Sequence, residues 1–152
     1  LRPSVLDDLG LVPAVRSTLA REGRRAGGQV SLLASPSMPR LDPDLESACF
    51  RVVQEALANI VTHARASHIR VEIRIDGDRL ILIIDDDGAG FDVRGTLTNA
   101  PPGRIHGMQK MAERVNLMGG TLDVTSEVGE GTRVQATFPY ATANARRRAA
   151  GR

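Results

Sequence analysis

Two adjacent segments with regular side-chain patterns most strongly constrain the fold of this chain. Residues 68–76 alternate strictly between charged and apolar side chains, a period of two that predicts a half-buried strand. The apolar side consists of Ile69, Val71, Ile73 and Ile75. Gly77 and Asp78 are typical of a tight turn, and residues 79–85 are again apolar, which predicts a hairpin. Other parts of the chain must therefore pack against the apolar face of the sheet that contains this hairpin.

A long amphipathic helix is predicted for residues 43–65. Pro43 suits a first-turn position, and Asp42 is a candidate N-cap. Apolar residues recur at helical spacing and form a broad stripe: Leu45, Ala48, Cys49, Val52, Val53, Ala56, Leu57, Ile60, Val61 and Ala64. We expect this apolar stripe to pack against the apolar side of the hairpin.

The remaining patterns complete an α/β arrangement. Helices are predicted for residues 8–23 and 107–120, and strands for residues 29–34, 121–127 and 132–139. The inward positions of the second of these helices are Met108, Met111, Val115 and either Leu117 or Met118. The order is helix, strand, long helix, two strands, loop, helix and two strands, which favours helices layered on one face of a mixed sheet.

Composition narrows the class of protein. The 152 residues are 41% hydrophobic, and Cys49 is the only cysteine, so an intrachain disulfide is excluded. The sequence has no apolar run of the roughly 18 residues that a membrane span needs. We expect a cytoplasmic domain, with a membrane-anchored parent protein left open. Residues 141–152 are basic and without apolar periodicity, so we expect a flexible tail, with a nucleic-acid arm as the alternative. Because the basic residues do not interleave with aromatics, we expect no nucleic-acid partner.

Three polar residues follow one another at helical steps on the long helix. Glu55, Asn59 and His63 are each four residues apart, so they share one side. A solvated helix face explains such a trio equally well. However, a carboxylate and a carboxamide one turn apart can also present oxygen ligands to Mg²⁺.

The hairpin ends in an unusual acidic and glycine-rich stretch, "DDDGAGFD", at residues 85–92. A carboxylate at Asp86 can accept a hydrogen bond from an exocyclic amine. Gly88 and Gly90 allow a flat ring or a phosphate to approach the backbone. The alternative is an ordinary solvated turn.

Two later segments carry weaker indications of a binding site. "GRIHGMQKM" runs from a glycine-containing loop into a predicted helix start at Gly107 or Met108, where free N–H groups would bind an anion. "GEGTR" places Thr132 at the start of the last strand. Alone, the second segment is simply a hairpin turn.

Taken in order, these segments resemble the ATP-binding catalytic domain of sensor histidine kinases, in the superfamily of gyrase, the Hsp90 chaperone and MutL. "FRVVQEALANIVTHARA" is similar to the N box, and "DDDGAGFD" and "HGMQKMAERV" to the two glycine boxes. "GEGTRVQATFP" is similar to the terminal threonine motif, and "LDDLGLVPAV" to the segment that precedes this domain. His63 with Ala64, and "GMxxMxERV" followed by two glycines, resemble the nitrate-sensor-like branch.

The resemblance implies a role for each candidate residue. Asp86 would accept from the adenine amino group, and Thr132 would support Asp86 directly or through water. Asn59 would ligate Mg²⁺, while Glu55 would order its water shell or assist proton removal from the accepting histidine. The other implied ATP-binding residues are His63, Gly88, Gly90, Gly107 and Met108.

The resemblance also implies the fold and its divisions. The expected fold is a two-layer α/β sandwich of the Bergerat type, a mixed sheet covered on one face by helices. Residues 1–23 would be the end of a linker and the first helix, residues 24–140 the ATP-binding domain, and residues 141–152 the tail. Residues 93–106 would be a lid that nucleotide orders.

The implied reaction transfers the γ-phosphoryl group of ATP, with Mg²⁺, to a histidine on a separate dimerisation domain of the same parent protein. A response regulator would be the next partner, and the parent would be dimeric or membrane-bound. None of the three histidines of this chain lies in the family's phosphoacceptor motif. Two alternatives remain: a serine kinase of the anti-sigma-factor type, and a nucleotide-binding module without catalysis.

Overall fold

The sheet of this chain has five strands and is mixed. A computed structural model describes residues 3–35, 37–93, 102–140 and 151. The strands are β1 (Gln29–Ala34), β2 (His68–Asp76), β3 (Arg79–Asp86), β4 (Thr121–Ser126) and β5 (Thr132–Pro139). Their spatial order is β1-β2-β3-β5-β4, with β1 parallel to β2 and the other neighbours antiparallel. The predicted strands and the predicted hairpin are therefore confirmed.

The helices are α1 (Ser4–Leu9), α2 (Leu11–Ala26), α3 (Pro43–Asn59) and α4 (Pro102–Leu117). The predicted helix over residues 8–23 is wrong at both ends, because Gly10 separates α1 from α2 and Gly23 lies inside α2. Gly27 ends α2 in the left-handed region at φ 72°. Within the described part of the chain, none of the helices is both long enough and apolar enough to cross a membrane.

The start of α3 follows the sequence prediction, but its end does not. The Asp42 carboxylate accepts a hydrogen bond from the Asp44 N–H at 3.0 Å, which confirms Asp42 as the N-cap. The α-helix ends at Asn59 and continues as a π-helical turn over Ile60–Ala64. Such wide turns occur frequently at functional sites.

One apolar core lies between the helices and one face of the sheet. Its members are almost fully buried: Val52, Val53, Leu57, Ile69, Val71, Leu80, Leu82, Ile84, Met111, Val115, Ala136 and Phe138. Leu117 is 86% exposed, whereas Met118 packs against the core, so Met118 is the inward residue of the two candidates. The predicted two-layer α/β fold is confirmed.

A buried acid ties α1 and α2 to α3. Glu46 in α3 is 1% exposed and accepts from the Leu11 N–H at 3.2 Å, so it supplies a partner at the start of α2. Arg40 donates to both Glu46 carboxylate oxygens and also to the backbone carbonyls of Leu6 and Asp7. The charge of Glu46 is therefore paired.

Candidate functional site

A cleft opens between α3, α4 and the sheet. Four of the residues singled out in the sequence line it, namely Asn59, Asp86, Met108 and Thr132. The other seven lining residues are all apolar: Ala56, Ile60, Ile84, Phe91, Met111, Val124 and Val134. An apolar chamber with a few convergent polar groups is the usual form of a small-molecule site.

The three adjacent acids at the end of β3 have three different environments. Asp85 pairs with Arg133 through two bonds, Nε to Oδ1 at 2.7 Å and Nη2 to Oδ2 at 2.9 Å. Asp86 lines the cleft. Asp87 accepts from the backbone N–H groups of Ser67 and His68 at 2.8 and 2.9 Å. Asp85 and Asp87 therefore each have protein partners, unlike the acids of an ordinary solvated turn.

Asp87 connects the acidic stretch to the start of β2. Its Oδ2 lies 3.1 Å from Nδ1 of His68, in addition to the two backbone bonds at Oδ1. The hydrogen bonds from His68, together with the one from the Ser67 N–H, lower the pKa of the Asp87 carboxyl. The charged carboxylate thus anchors the residues immediately after Asp86 to the start of β2.

Asp86 is half-buried and held by its own loop. The Gly88 N–H donates to Asp86 Oδ1 at 2.9 Å, which closes a local turn. Gly90 has φ 63°, and a Cβ there would collide with the carbonyl oxygen of Glu127. Glycine at position 90 therefore allows the loop to pack closely against the β4–β5 turn. The sequence had indicated only a close approach of a ligand to the backbone.

The β4–β5 turn supports the same corner of the cleft. Thr132 is the register partner of Asp86, one strand across. Gly131 has φ 79°, and a Cβ there would collide with the carbonyl oxygen of Asp86. Glycine at 131 therefore allows β5 to begin directly against Asp86.

Ser126, at the end of β4, is a residue that the sequence analysis missed. It is 9% exposed, and its hydroxyl contacts the Phe91 N–H, the Gly131 carbonyl and the Thr132 hydroxyl. Its position in the sequence could have identified it, because Ser126 follows Leu122 and Val124 at alternate residues of β4 and so lies on the same side of the strand. A serine on the inward side of a strand needs hydrogen-bond partners.

On the helical side, Glu55 and Asn59 lie one turn apart in α3, and both are half-buried. A Cβ at Gly107 would lie 3.5 Å from Oε1 of Glu55, so the backbone of α4 runs close to this carboxylate. His63 is also half-buried but belongs to the π-helical turn. The assumption that one uninterrupted α-helix carries all three residues is therefore wrong.

The start of α4 differs from the sequence prediction. The helix begins at Pro102, so Gly107 and Met108 lie inside it rather than at its N-terminus. Backbone N–H groups at such positions bond within the helix. Of the predicted lid over residues 93–106, residues 94–101 lie outside the described part, and the backbone of residues 102–106 is helical.

The chemistry of the lining fits an adenine nucleotide. The apolar walls suit a purine ring, and Asp86 is an acceptor for an amine at its edge. Asn59 offers an amide oxygen, a ligand type that Mg²⁺ accepts. The described residues contain no group of three or more His, Cys, Asp or Glu side chains that could hold a metal ion.

Comparisons with known proteins agree with this chemistry. Residues 44–142 match the family described as histidine kinase-, DNA gyrase B- and HSP90-like ATPase. The chain is 36% identical over 142 residues to the signal transduction histidine-protein kinase/phosphatase DegS of Bacillus subtilis, covering 91% of this chain and 36% of DegS. It is 36% identical over 139 residues to the oxygen sensor histidine kinase NreB of Staphylococcus carnosus, covering 91% of this chain and 39% of NreB. The chain thus spans little more than a third of these relatives.

Solved structures share the fold. The histidine kinase domain of a blue-light activated kinase from Erythrobacter litoralis superposes with a TM-score of 0.65 at 22% identity, over 82% of this chain and 58% of that one. Full-length ShkA, solved in complex with AMPPNP, gives a TM-score of 0.70 at 21% identity, over 88% of this chain and 30% of that one. With the family match over residues 44–142, this chain belongs to the histidine kinase-, DNA gyrase B- and HSP90-like ATPase family.

Proposed function

We propose that this chain is the catalytic domain of a two-component sensor histidine kinase, and that ATP binds in the cleft beside Asp86. The observation that carries the proposal is the convergence of Asn59, Asp86 and Thr132 on one cleft from three separate sequence motifs. The histidine kinase names of DegS and NreB support the same class of enzyme. The ShkA structure supports an ATP-like ligand for the shared fold.

In this proposal, the polar residues divide between the base and the phosphates. Asp86 accepts from the adenine amino group, with Thr132 beside it on the neighbouring strand. The turn closed by the Gly88 N–H keeps the Asp86 carboxylate in place, and Gly90 lets the same loop pack closely. Asn59 and His63 face the phosphates from the end of the long helix.

Mg²⁺, when bound, would neutralise charge that develops on the phosphates. Asn59 would supply one oxygen ligand. Glu55, one turn earlier and beside Gly107, would order water around the site. For Gly107 and Met108 to offer their N–H groups to phosphate, the first turns of α4 must open. The proline and glycine residues at 101–103 suit such a change.

The proposed reaction is an in-line phosphoryl transfer. A ring nitrogen of a histidine on the parent's dimerisation domain attacks the γ-phosphorus, the bond to the bridging oxygen breaks, and ADP leaves. The histidine loses a proton, and Glu55 would assist its removal. Positioning and charge neutralisation supply most of the rate enhancement in this chemistry. A response regulator would then take the phosphoryl group.

Labelling with radioactive γ-phosphate tests this function. The chain alone should label poorly, because its three histidines match no acceptor motif. Adding the parent's dimerisation helices as a separate polypeptide should produce acid-labile label on that polypeptide. The rate should be lower than in the intact protein, because the two parts meet only by diffusion. Efficient acid-labile labelling of the chain alone would contradict the proposal.

The same experiment addresses the alternatives. Acid-stable label on a serine of an added protein would favour a kinase of the anti-sigma-factor type. Nucleotide binding without any transfer to the dimerisation helices would favour a binding module. The segment "LRPSVLDDLGL", which resembles the region preceding the catalytic domain of sensor kinases, argues against the anti-sigma-factor type. The presence of Glu55, Asn59 and Asp86 argues against a binding module without catalysis.

A further inference from the structure

We propose that Ser126 determines the hydrogen-bonding polarity of Thr132, and thereby makes the base end of the cleft selective for an amine over a carbonyl oxygen. This inference deepens the proposed function and rests on it. Its basis is a buried cluster in which one hydroxyl reaches two binding motifs. Ser126 lies in β4, Thr132 begins β5, and Phe91 ends the glycine-rich loop.

The neighbours of the Ser126 hydroxyl fix the direction of its hydrogen bonds. A serine hydroxyl has one proton to donate and two lone pairs to accept with. Ser126 Oγ lies 2.9 Å from the Gly131 carbonyl oxygen, which can only accept, so the proton of Ser126 goes there. The Phe91 N–H, at 2.9 Å, can only donate, and it occupies one lone pair.

The Thr132 hydroxyl is the third partner of Ser126, with its Oγ1 2.8 Å from Ser126 Oγ. Since the proton of Ser126 is already used, Thr132 must donate its own proton to the remaining lone pair of Ser126. Burial of Ser126, at 9% exposure, limits exchange of these bonds with water. Thr132 can therefore act towards the cleft only as an acceptor.

Asp86 and Thr132 are register partners and both line the cleft. A carboxylate and an acceptor hydroxyl side by side favour a group that donates, such as the amine at the six-position of adenine. A carbonyl oxygen at that position would face two acceptors. Direct donation from Thr132 to Asp86, one of the two possibilities implied by the resemblance, conflicts with this arrangement.

Ser126 is thus a positioning residue that acts through Thr132 and Phe91. The Phe91 aromatic ring lines the cleft, and its backbone N–H is held by the same serine. Removing the Ser126 hydroxyl would release the Thr132 proton, which could then be donated to a carbonyl oxygen. The expected effect is a change in selectivity as well as in affinity, and a merely structural role would not produce it.

The test is calorimetric titration of the 152-residue chain with MgATP and with Mg-inosine triphosphate, which carries a carbonyl oxygen in place of the amine. For Ser126→Ala, we expect the ratio of ATP affinity to inosine triphosphate affinity to fall about three- to tenfold, the range of one net hydrogen bond. Ser126→Cys preserves the side-chain shape and should behave similarly. The control is Thr125→Ala, which removes the hydroxyl of an exposed neighbour and should leave the ratio unchanged.

A double substitution tests whether Ser126 acts through Thr132. Thr132→Val preserves the shape of the side chain and should itself lower the ratio. Adding Ser126→Ala to Thr132→Val should lower it no further, because coupled residues are not additive. An unchanged ratio in Thr132→Val would overturn the inference whatever the Ser126 variants do. Equal losses for both nucleotides in Ser126→Ala, or additive losses in the double variant, would also overturn it.

These titrations distinguish an error in the proposed base site from an error in the role of Ser126. If the wild-type chain does not bind MgATP, or if Asp86→Asn binds it equally well, the proposed base site is wrong. If binding depends on Asp86 while the Ser126 and Thr132 variants retain wild-type selectivity, the base site stands and only the proposed roles of Ser126 and Thr132 in selectivity are wrong.

Discussion

Asp86 and Thr132 lie directly opposite each other at the adjoining ends of β3 and β5. They come from motifs far apart in the sequence, and the antiparallel register alone brings them together. Gly131 makes this meeting possible, because any side chain there would collide with the backbone of Asp86. The sheet therefore forms the proposed base end of the cleft, whereas the proposed phosphate end depends on the helices.

Asn59 is predicted to act through the metal. Asn59→Ala should weaken nucleotide binding when Mg²⁺ is present and have much less effect in EDTA. The reason is that the substitution removes an oxygen ligand for the cation and leaves the base contacts unchanged. Titrations of both proteins with ATP under the two conditions measure the difference. Equal losses would mean that Asn59 has only a structural role on the helix face.

Gly107→Ala is predicted to change stability and binding in opposite directions. Gly107 lies inside α4, and a Cβ there would meet Glu55 at an ordinary contact distance of 3.5 Å. Alanine in a helix interior is favoured over glycine by roughly 0.5–1 kcal/mol, so the thermal midpoint should rise. If Gly107 must leave the helix to bind phosphate, the affinity for MgATP should fall.

Two measurements decide this prediction, thermal unfolding without nucleotide and calorimetric titration with MgATP. Ala112 lies in the same helix, and Ala112→Gly should lower the midpoint by destabilising an α-helix that is already formed. A Gly107→Ala variant with a higher midpoint and unchanged affinity would show that Gly107 remains helical when nucleotide binds.

The Asp87 carboxylate should stabilise the fold in a pH-dependent way. Its pKa is lowered by hydrogen bonds from His68 and Ser67, so folding favours the charged form. The stabilisation is fully present above the ordinary Asp pKa of about 3.9 and is lost as the pH falls through the lowered value. Because Asp87 is exposed, the effect of Asp87→Asn at pH 7 should be about 1 kcal/mol or less.

Urea unfolding of wild type and Asp87→Asn at pH 7 and at pH 3 measures this contribution. The difference in unfolding free energy between the two proteins should shrink as the pH falls. A difference that stays constant, or that grows in acid, would contradict the assignment of the lowered pKa to Asp87.

Local patterns were sufficient to predict most of the sheet. The alternation in residues 68–76 and 132–139 gave both strands with their observed bounds. Asp42 was identified as the cap of α3 because capping depends on a few neighbouring residues. Strand alternation and helix capping depend on neighbouring residues alone, so both can be predicted from the sequence.

Features that depend on distant contacts could not be derived in this way. Glu46, in the first turn of α3, has the pattern of a surface acid, but it is buried because Arg40 and the Leu11 N–H meet it from elsewhere. The proline at 102 was interpreted as part of a loop, although proline is favoured at the first position of a helix. The cluster around Ser126 required the register of β4 and β5.

The central claim is that Asp86 binds the adenine base of ATP in this cleft. Its most direct test is calorimetric titration of wild type and Asp86→Asn with MgATP. A charge-assisted hydrogen bond contributes roughly 1.5–3 kcal/mol, so the variant should bind about tenfold more weakly or worse. MgGTP should bind the wild type less tightly than MgATP. Equal MgATP affinity in the two proteins, or MgGTP binding as tight as MgATP, would contradict the account.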